Sequence, residues 1–139
     1  MTVTRWIALG YAAILWLVAT LNYWPGLTDS EGRVLGVFAL DFYDDALHFV
    51  SGAWALVAAF VSTRASRIFL QVFGALYLLD GLMGLAVGTG YLDLGILIYG
   101  VLDLPFEFRI KANTPHILLG GVALVAGAVL DRPRRLQPA

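Results

Sequence analysis

The chain has 139 residues, of which 60% are hydrophobic and only 14% charged, with a mean hydropathy of +0.80 and a formal net charge of −1. Globular domains average about 45–50% apolar residues, so a chain this small with so few charges is expected to have lipid as its solvent. The balanced charge excludes a basic field for nucleic acid, and the lack of cysteine excludes disulfides, thiolate chemistry and cysteine-held zinc or iron–sulfur centres.

Four apolar segments follow in chain order: Trp6–Trp24, Ala46–Val61, Ile68–Val87 and Pro115–Leu130. A helix needs roughly 20 residues, within about 17–25, to cross the hydrocarbon core. The first and third segments reach that alone, and the second and fourth reach it with flanking residues. The first is too long for a secretory leader and no Ala-x-Ala site follows it, so it reads as a retained helix. The expected fold is an all-α integral membrane bundle of four transmembrane helices, built as two tandem hairpins over about 5–63 and 67–131. The outer loops are expected at 25–43 and 89–112.

Basic residues set the expected orientation. Arg5, Arg64, Arg67, Arg132, Arg134 and Arg135 fall on one side, and Arg33, Arg109 and Lys111 on the other. The positive-inside tendency then puts both termini in the cytoplasm. The outer loops carry apolar residues interleaved with acids and read as short interfacial helices or a strand pair. Gly95, Gly100, Asp103 and Pro105 argue against a fifth span. The link Ser62–Arg67 is tight, making the second and third helices antiparallel neighbours.

The two histidines of the chain lie 68 residues apart and begin matching stretches. His48 is followed by Gly52 and the run Ala55-Leu56-Val57-Ala58, and His116 by Gly120 and Ala123-Leu124-Val125-Ala126. Six identities at one offset point to an internal duplication, which would give both imidazoles equivalent places near the outer ends of parallel helices. Asp44 or Asp45 is the expected cap of the second helix, and Asn113 or Thr114 that of the fourth, with Pro115 in its first turn. Helix N-termini disfavour imidazolium, and a neutral ring serves as metal ligand or hydrogen-bond partner. Gly52 and Gly120, one turn deeper, either clear a slot for a flat macrocycle or let helices approach closely.

Asp80 is the one carboxylate inside a span, and an intramembrane acid marks a partner or a function. Its candidate partners are the histidines and Asn22. Asp41, Asp44, Asp45 and Glu107 form either an outer cation site of oxygen ligands or a solvated acidic rim. The basic run Asp131–Arg135 reads as a topology anchor or a contact for anionic lipid. No phosphate-binding glycine loop, Gly-x-Ser-x-Gly elbow or His-Glu-x-x-His motif is present.

Gly36-Val37-Phe38 leading into Asp45-x-x-His48-x-x-x-Gly52, together with Asn113-x-x-His116-x-x-x-Gly120-Gly121, resembles a family of small bacterial four-span proteins known as a domain of unknown function. The family pattern carries Asn three residues before its first histidine, where this chain has Asp45. The resemblance implies an integral four-helix fold in the bacterial inner membrane, and brings no activity or cofactor.

Three functions are expected from these residues. The first is a non-enzymatic structural or accessory membrane protein, in which His48, His116 and Asp80 form a buried cluster supported by Asn22, Asp45 and Asn113. The second is electron transfer by b-type haem or a chlorin held through His48 and His116, with Gly52 and Gly120 beside the ring. The third is a divalent-metal or proton site of His48, His116 and Asp80. Haem requires the imidazole nitrogens about 4 Å apart across a flat slot, and zinc about 3–3.5 Å apart. Lipid is the expected partner, and association into a homo-oligomer or larger membrane complex is left open.

Overall fold

The structure, a computed structural model, describes residues 1–132 and is all-helical, with five α-helices and no strands among those residues. Helix α1 runs over Val3–Val18 and continues through a turn into a short 3-10 segment, Leu21–Tyr23. Helix α2 spans Phe42–Val61, α3 Thr63–Val87, α4 Gly95–Ile98 and α5 Phe106–Val129. Four of these stretches are long and apolar enough to cross a membrane: Val3–Tyr23, α2, α3 and α5. Arg134 and Arg135 of the basic run lie outside the described residues.

α1 packs on α2 and α3 on α5, giving two antiparallel hairpins joined mainly through α2 and α3. The link between α2 and α3 is tighter than the expected Ser62–Arg67. Only Ser62 separates the two helices, and its hydroxyl caps α3 by accepting from Ala65 N at 3.0 Å.

The core holds a ladder of rings at helical spacing. Phe69, Phe73 and Tyr77 stack along α3 with centroids 5.1 and 4.0 Å apart, and Tyr11 of α1 meets Phe69 and Phe73 edge-on. Opposite them, Ala8, Ala12, Ala55, Ala58, Ala59 and Ala123 are buried, which brings the backbones close. The Tyr11 hydroxyl reaches across to donate to Leu119 O at 2.6 Å, so the apolar interior leaves no phenol unpaired.

α3 and α5 touch through glycine. A Cβ at Gly74 would collide with the Leu124 backbone, one at Gly120 with the Leu78 backbone, and one at Gly127 would lie 2.9 Å from Arg67 O. Lipid tails supply no hydrophobic drive between helices, so such close approach is the main source of packing. The outer surface is correspondingly oily: Phe49, Val57, Phe60, Val72, Leu79, Leu118, Val122 and Val125 are all exposed. That is a lipid-facing surface.

At the end where α1 begins and α5 stops, Asp131 Oδ2 accepts from Thr4 N and Thr4 Oγ1, each at 2.8 Å, closing the bundle from α5 back to α1. The opposite end is covered by the two long loops. In the first, Asp29 accepts from Glu31 N and Arg33 N, and isolated bridges join Thr28 to Val34 and Val34 to Phe38 around the buried Val34. The second contains α4 and returns to α3, with Leu102 N donating to Val87 O at 3.0 Å.

Candidate functional site

The N-terminus of α2 sits three residues earlier than Asp44 would place it, and four earlier than Asp45. Asp41 is the cap: its Oδ1 accepts from Tyr43 N at 2.7 Å and Asp44 N at 3.1 Å, while Asp44 Oδ2 accepts from Asp41 N at 3.1 Å. This reciprocal box satisfies three backbone donors and makes Asp44 a first-turn residue. Asp45 turns away and is buried, with Oδ2 accepting from the Tyr23 hydroxyl at 2.8 Å and Oδ1 left without a partner.

α5 departs further from expectation. It starts at Phe106, nine residues before Pro115, so neither Asn113 nor Thr114 caps it and Pro115 lies in its interior. Both side chains bond back within the helix instead, Asn113 to Arg109 O at 2.9 Å and Thr114 to Ile110 O at 2.6 Å. Polar side chains that satisfy themselves against the preceding turn let a membrane helix run through such a stretch and tolerate the proline. His116 is therefore the eleventh residue of α5, whereas His48 is the seventh of α2.

The two imidazoles nonetheless meet. Their ring centroids are 6.1 Å apart with planes tilted by 49°. His48 Nδ1 lies 2.7 Å from Asp44 O, and His116 Nδ1 lies 2.7 Å from Asp80 Oδ2. Both partners are acceptors, so Nδ1 carries a proton in each ring, and in the neutral ring Nε2 presents a lone pair. Among the described residues no hydrogen bond reaches either Nε2. The ring of Tyr77 stands across one side of the gap, its centroid 5.0 Å from His116 and 6.2 Å from His48.

Asp80 is almost completely buried and fully engaged. Besides His116, its Oδ1 accepts from Tyr91 N at 2.6 Å and Leu92 N at 2.9 Å. Three N–H donors on two oxygens are the partners a carboxylate wants. The loop reaches this depth through Gly90, where a Cβ would lie 2.6 Å from Asp80 Oδ1. Asn22 takes no part in this cluster; its amide donates to Leu40 O at 3.1 Å. Asn113 packs its amide against Gly84 instead of joining the histidines.

Gly52 and Gly120 leave no open slot. A Cβ at Gly52 would meet the Trp16 indole at 2.6 Å, and one at Gly120 would meet the backbone of α3. Both glycines serve close packing in this arrangement.

The histidines open onto a cavity of about 620 Å³ at the loop-covered end. Its polar wall comprises Asp41, Asp44, Asp80, Asp93, Thr89, Tyr99 and Asn113, and among the described residues no lysine or arginine lines it. The side-chain donors there already have acceptors: Tyr99 donates to Asp41 Oδ2 at 3.3 Å, Thr89 to Gly100 O at 2.7 Å, and Asn113 to Arg109 O. The charge of Asp41 pushes the Tyr99 hydroxyl above the ordinary tyrosine pKa, which keeps that donor protonated. What faces the cavity unpaired is a set of acceptors.

Glu107, expected beside Asp41, Asp44 and Asp45, is instead paired with Lys111 at 2.6 Å on an exposed turn. Among the described residues, no three His, Asp or Glu side chains converge closely enough to hold one metal ion. Sequence reasoning passed over Thr89, Gly90 and Asp93. The Asp93-x-Gly95 turn, with Gly95 N donating to Asp93 Oδ1 at 2.9 Å, was the one local signal available.

A family model for a domain of unknown function, DUF4383, matches residues 5–129, and the chain belongs to that uncharacterised family. No curated protein and no solved structure matches the chain.

Proposed function

We propose that this is a non-enzymatic multi-pass membrane protein that takes up a cation in the cavity beside His48 and His116. One observation carries the reading: two histidines whose Nε2 atoms take no hydrogen bond among the described residues share a wall with four aspartates and with no lysine or arginine. Four carboxylates with no lysine or arginine opposite them favour a positively charged occupant. The Asp80–His116 bond fixes that ring's tautomer in the way outer carboxylates fix ligand histidines.

The same residues hold the fold, since Asp80 links α3, the loop after it and α5. That supports an accessory role in which binding and helix pairing share one cluster. The haem reading is weaker, because Trp16 and the backbone of α3 fill the space at Gly52 and Gly120 that a macrocycle would need.

The matching hairpins and the 68-residue histidine offset support an ancestral duplication, with repeats near 5–63 and 67–131. Arg5, Arg64, Arg67 and Arg132 at the end where α1 begins and α5 stops support a cytoplasmic placement for that end, which leaves the cavity on the outer side of a bacterial inner membrane.

The test is thermal unfolding of purified protein in detergent against a panel of divalent metal chlorides, amine hydrochlorides, and the sodium salts of acetate and phosphate. Stabilisation by at least one of the cations and by none of the anions is expected. Stabilisation by an anion alone, or by nothing in the panel, would contradict the reading.

A further inference from the structure

We propose that the occupant is an organic amine, a primary or secondary ammonium on a compact apolar body; this rests on the cavity being a cation site. Acidic side chains alone name no ligand. The independent observation is His48, only 5% exposed, which lines the cavity and whose Nε2 takes no hydrogen bond among the described residues.

Size and lining separate an amine from a bare ion. A cavity of about 620 Å³ falls within the roughly 300–1,000 Å³ that organic ligands occupy. Much of its wall is hydrocarbon, from Val37, Phe38, Leu102, Leu104 and Phe108. A metal ion would leave that surface unused and would want three or four protein ligands, yet no three converge among the described residues. Two imidazole acceptors suit a nitrogen carrying two or three hydrogens. The ring centres lie 6.1 Å apart, close enough for one small ligand to touch both rings.

The chemistry also excludes near relatives of that ligand. A quaternary ammonium has charge but no N–H, so it leaves both Nε2 atoms unpaired. An aminophospholipid brings a phosphate to a wall of carboxylates, and like charges repel. Asp44 and Asp93 supply the remaining field: Asp44 Oδ1 and Asp93 Oδ2 take no hydrogen bond among the described residues, whereas both oxygens of Asp80 are occupied.

The experiment is isothermal titration of the full chain in detergent at pH 7.5 with 2-phenylethylamine, 2-phenylethanol, phenyltrimethylammonium and zinc chloride. Saturable binding of 2-phenylethylamine is expected, at least about tenfold tighter than the alcohol or the quaternary cation. It should weaken by about tenfold or more in His48→Gln. Asp93→Asn, which keeps the turn-capping oxygen and so spares the loop, should also weaken it. Zinc binding without amine binding would overturn the amine and leave the cation reading standing. Equal affinity for the quaternary cation, or undiminished affinity in both variants, would overturn the amine assignment. Failure of every cation to bind would overturn both.

Discussion

His116 donates from Nδ1 to Asp80 Oδ2 across 2.7 Å, and that bond joins α5 to α3 where the loop after α3 folds back into the bundle. The carboxylate therefore does two things at once. It anchors a loop through two backbone amides, and it dictates which nitrogen of His116 faces the cavity.

Replacing Asp80 separates those roles. Asp80→Ala leaves three donors facing an apolar pocket and should lower stability by about 2 kcal/mol, toward the modest end expected for polar contacts between membrane helices. Asp80→Asn should cost less, because its carbonyl oxygen can still accept from Tyr91 N and Leu92 N. Its amide group then points at His116 Nδ1 and turns that atom into an acceptor, moving the ring proton to Nε2. Denaturant unfolding in detergent measures the first effect, and the histidine nitrogen spectrum measures the second.

Two adjacent glycines of α5 should respond in opposite directions. Gly120→Ala drives a methyl group into the Leu78 backbone and should destabilise by about 1–3 kcal/mol. At Gly121 nothing lies within 4 Å of a Cβ, so Gly121→Ala should be neutral or stabilise by up to about 1 kcal/mol. Thermal midpoints of the two variants, measured side by side, check the helix contact without touching the cavity.

The four spans were legible because the bilayer demands long apolar runs, and all four appear as helices. The start of α5 was not, because Phe106–Thr114 mixes charge with apolar residues and Pro115 resembles a first-turn proline. The back-bonds of Asn113 and Thr114, invisible in composition, carry the helix through that stretch. The matched depth expected of His48 and His116 agrees with their ring separation of 6.1 Å, and Asp80 meets His116 alone of the two. The loop donors on Asp80 were not legible, since backbone amides have no sequence signature beyond the glycine that admits them. Trp16 filling the space at Gly52 was equally hidden, because it comes from α1, outside the repeated pattern.

Acid should open the end of the bundle where α1 begins and α5 stops. Thr4 N and the Thr4 hydroxyl, both donating to Asp131, hold its carboxyl below the usual carboxylate pKa. A depressed pKa means the stabilisation is complete above the unfolded value, near 3.9, and is lost as pH falls through the lower folded value. Asp131→Asn cannot titrate, so the part of the stability loss below about pH 4 that this group causes should vanish in the variant. Thermal midpoints of both proteins between neutral pH and pH 3 make the comparison.

Nitrogen NMR of the two ¹⁵N-labelled histidines, at pH 8 and above the ordinary imidazole pKa of about 6.5, bears most directly on the paired acceptors. Both rings should show a protonated Nδ1 and a bare Nε2, and both Nε2 signals should shift together when 2-phenylethylamine is added. A proton on Nε2 of either ring, or a shift confined to one of them, would contradict a shared site.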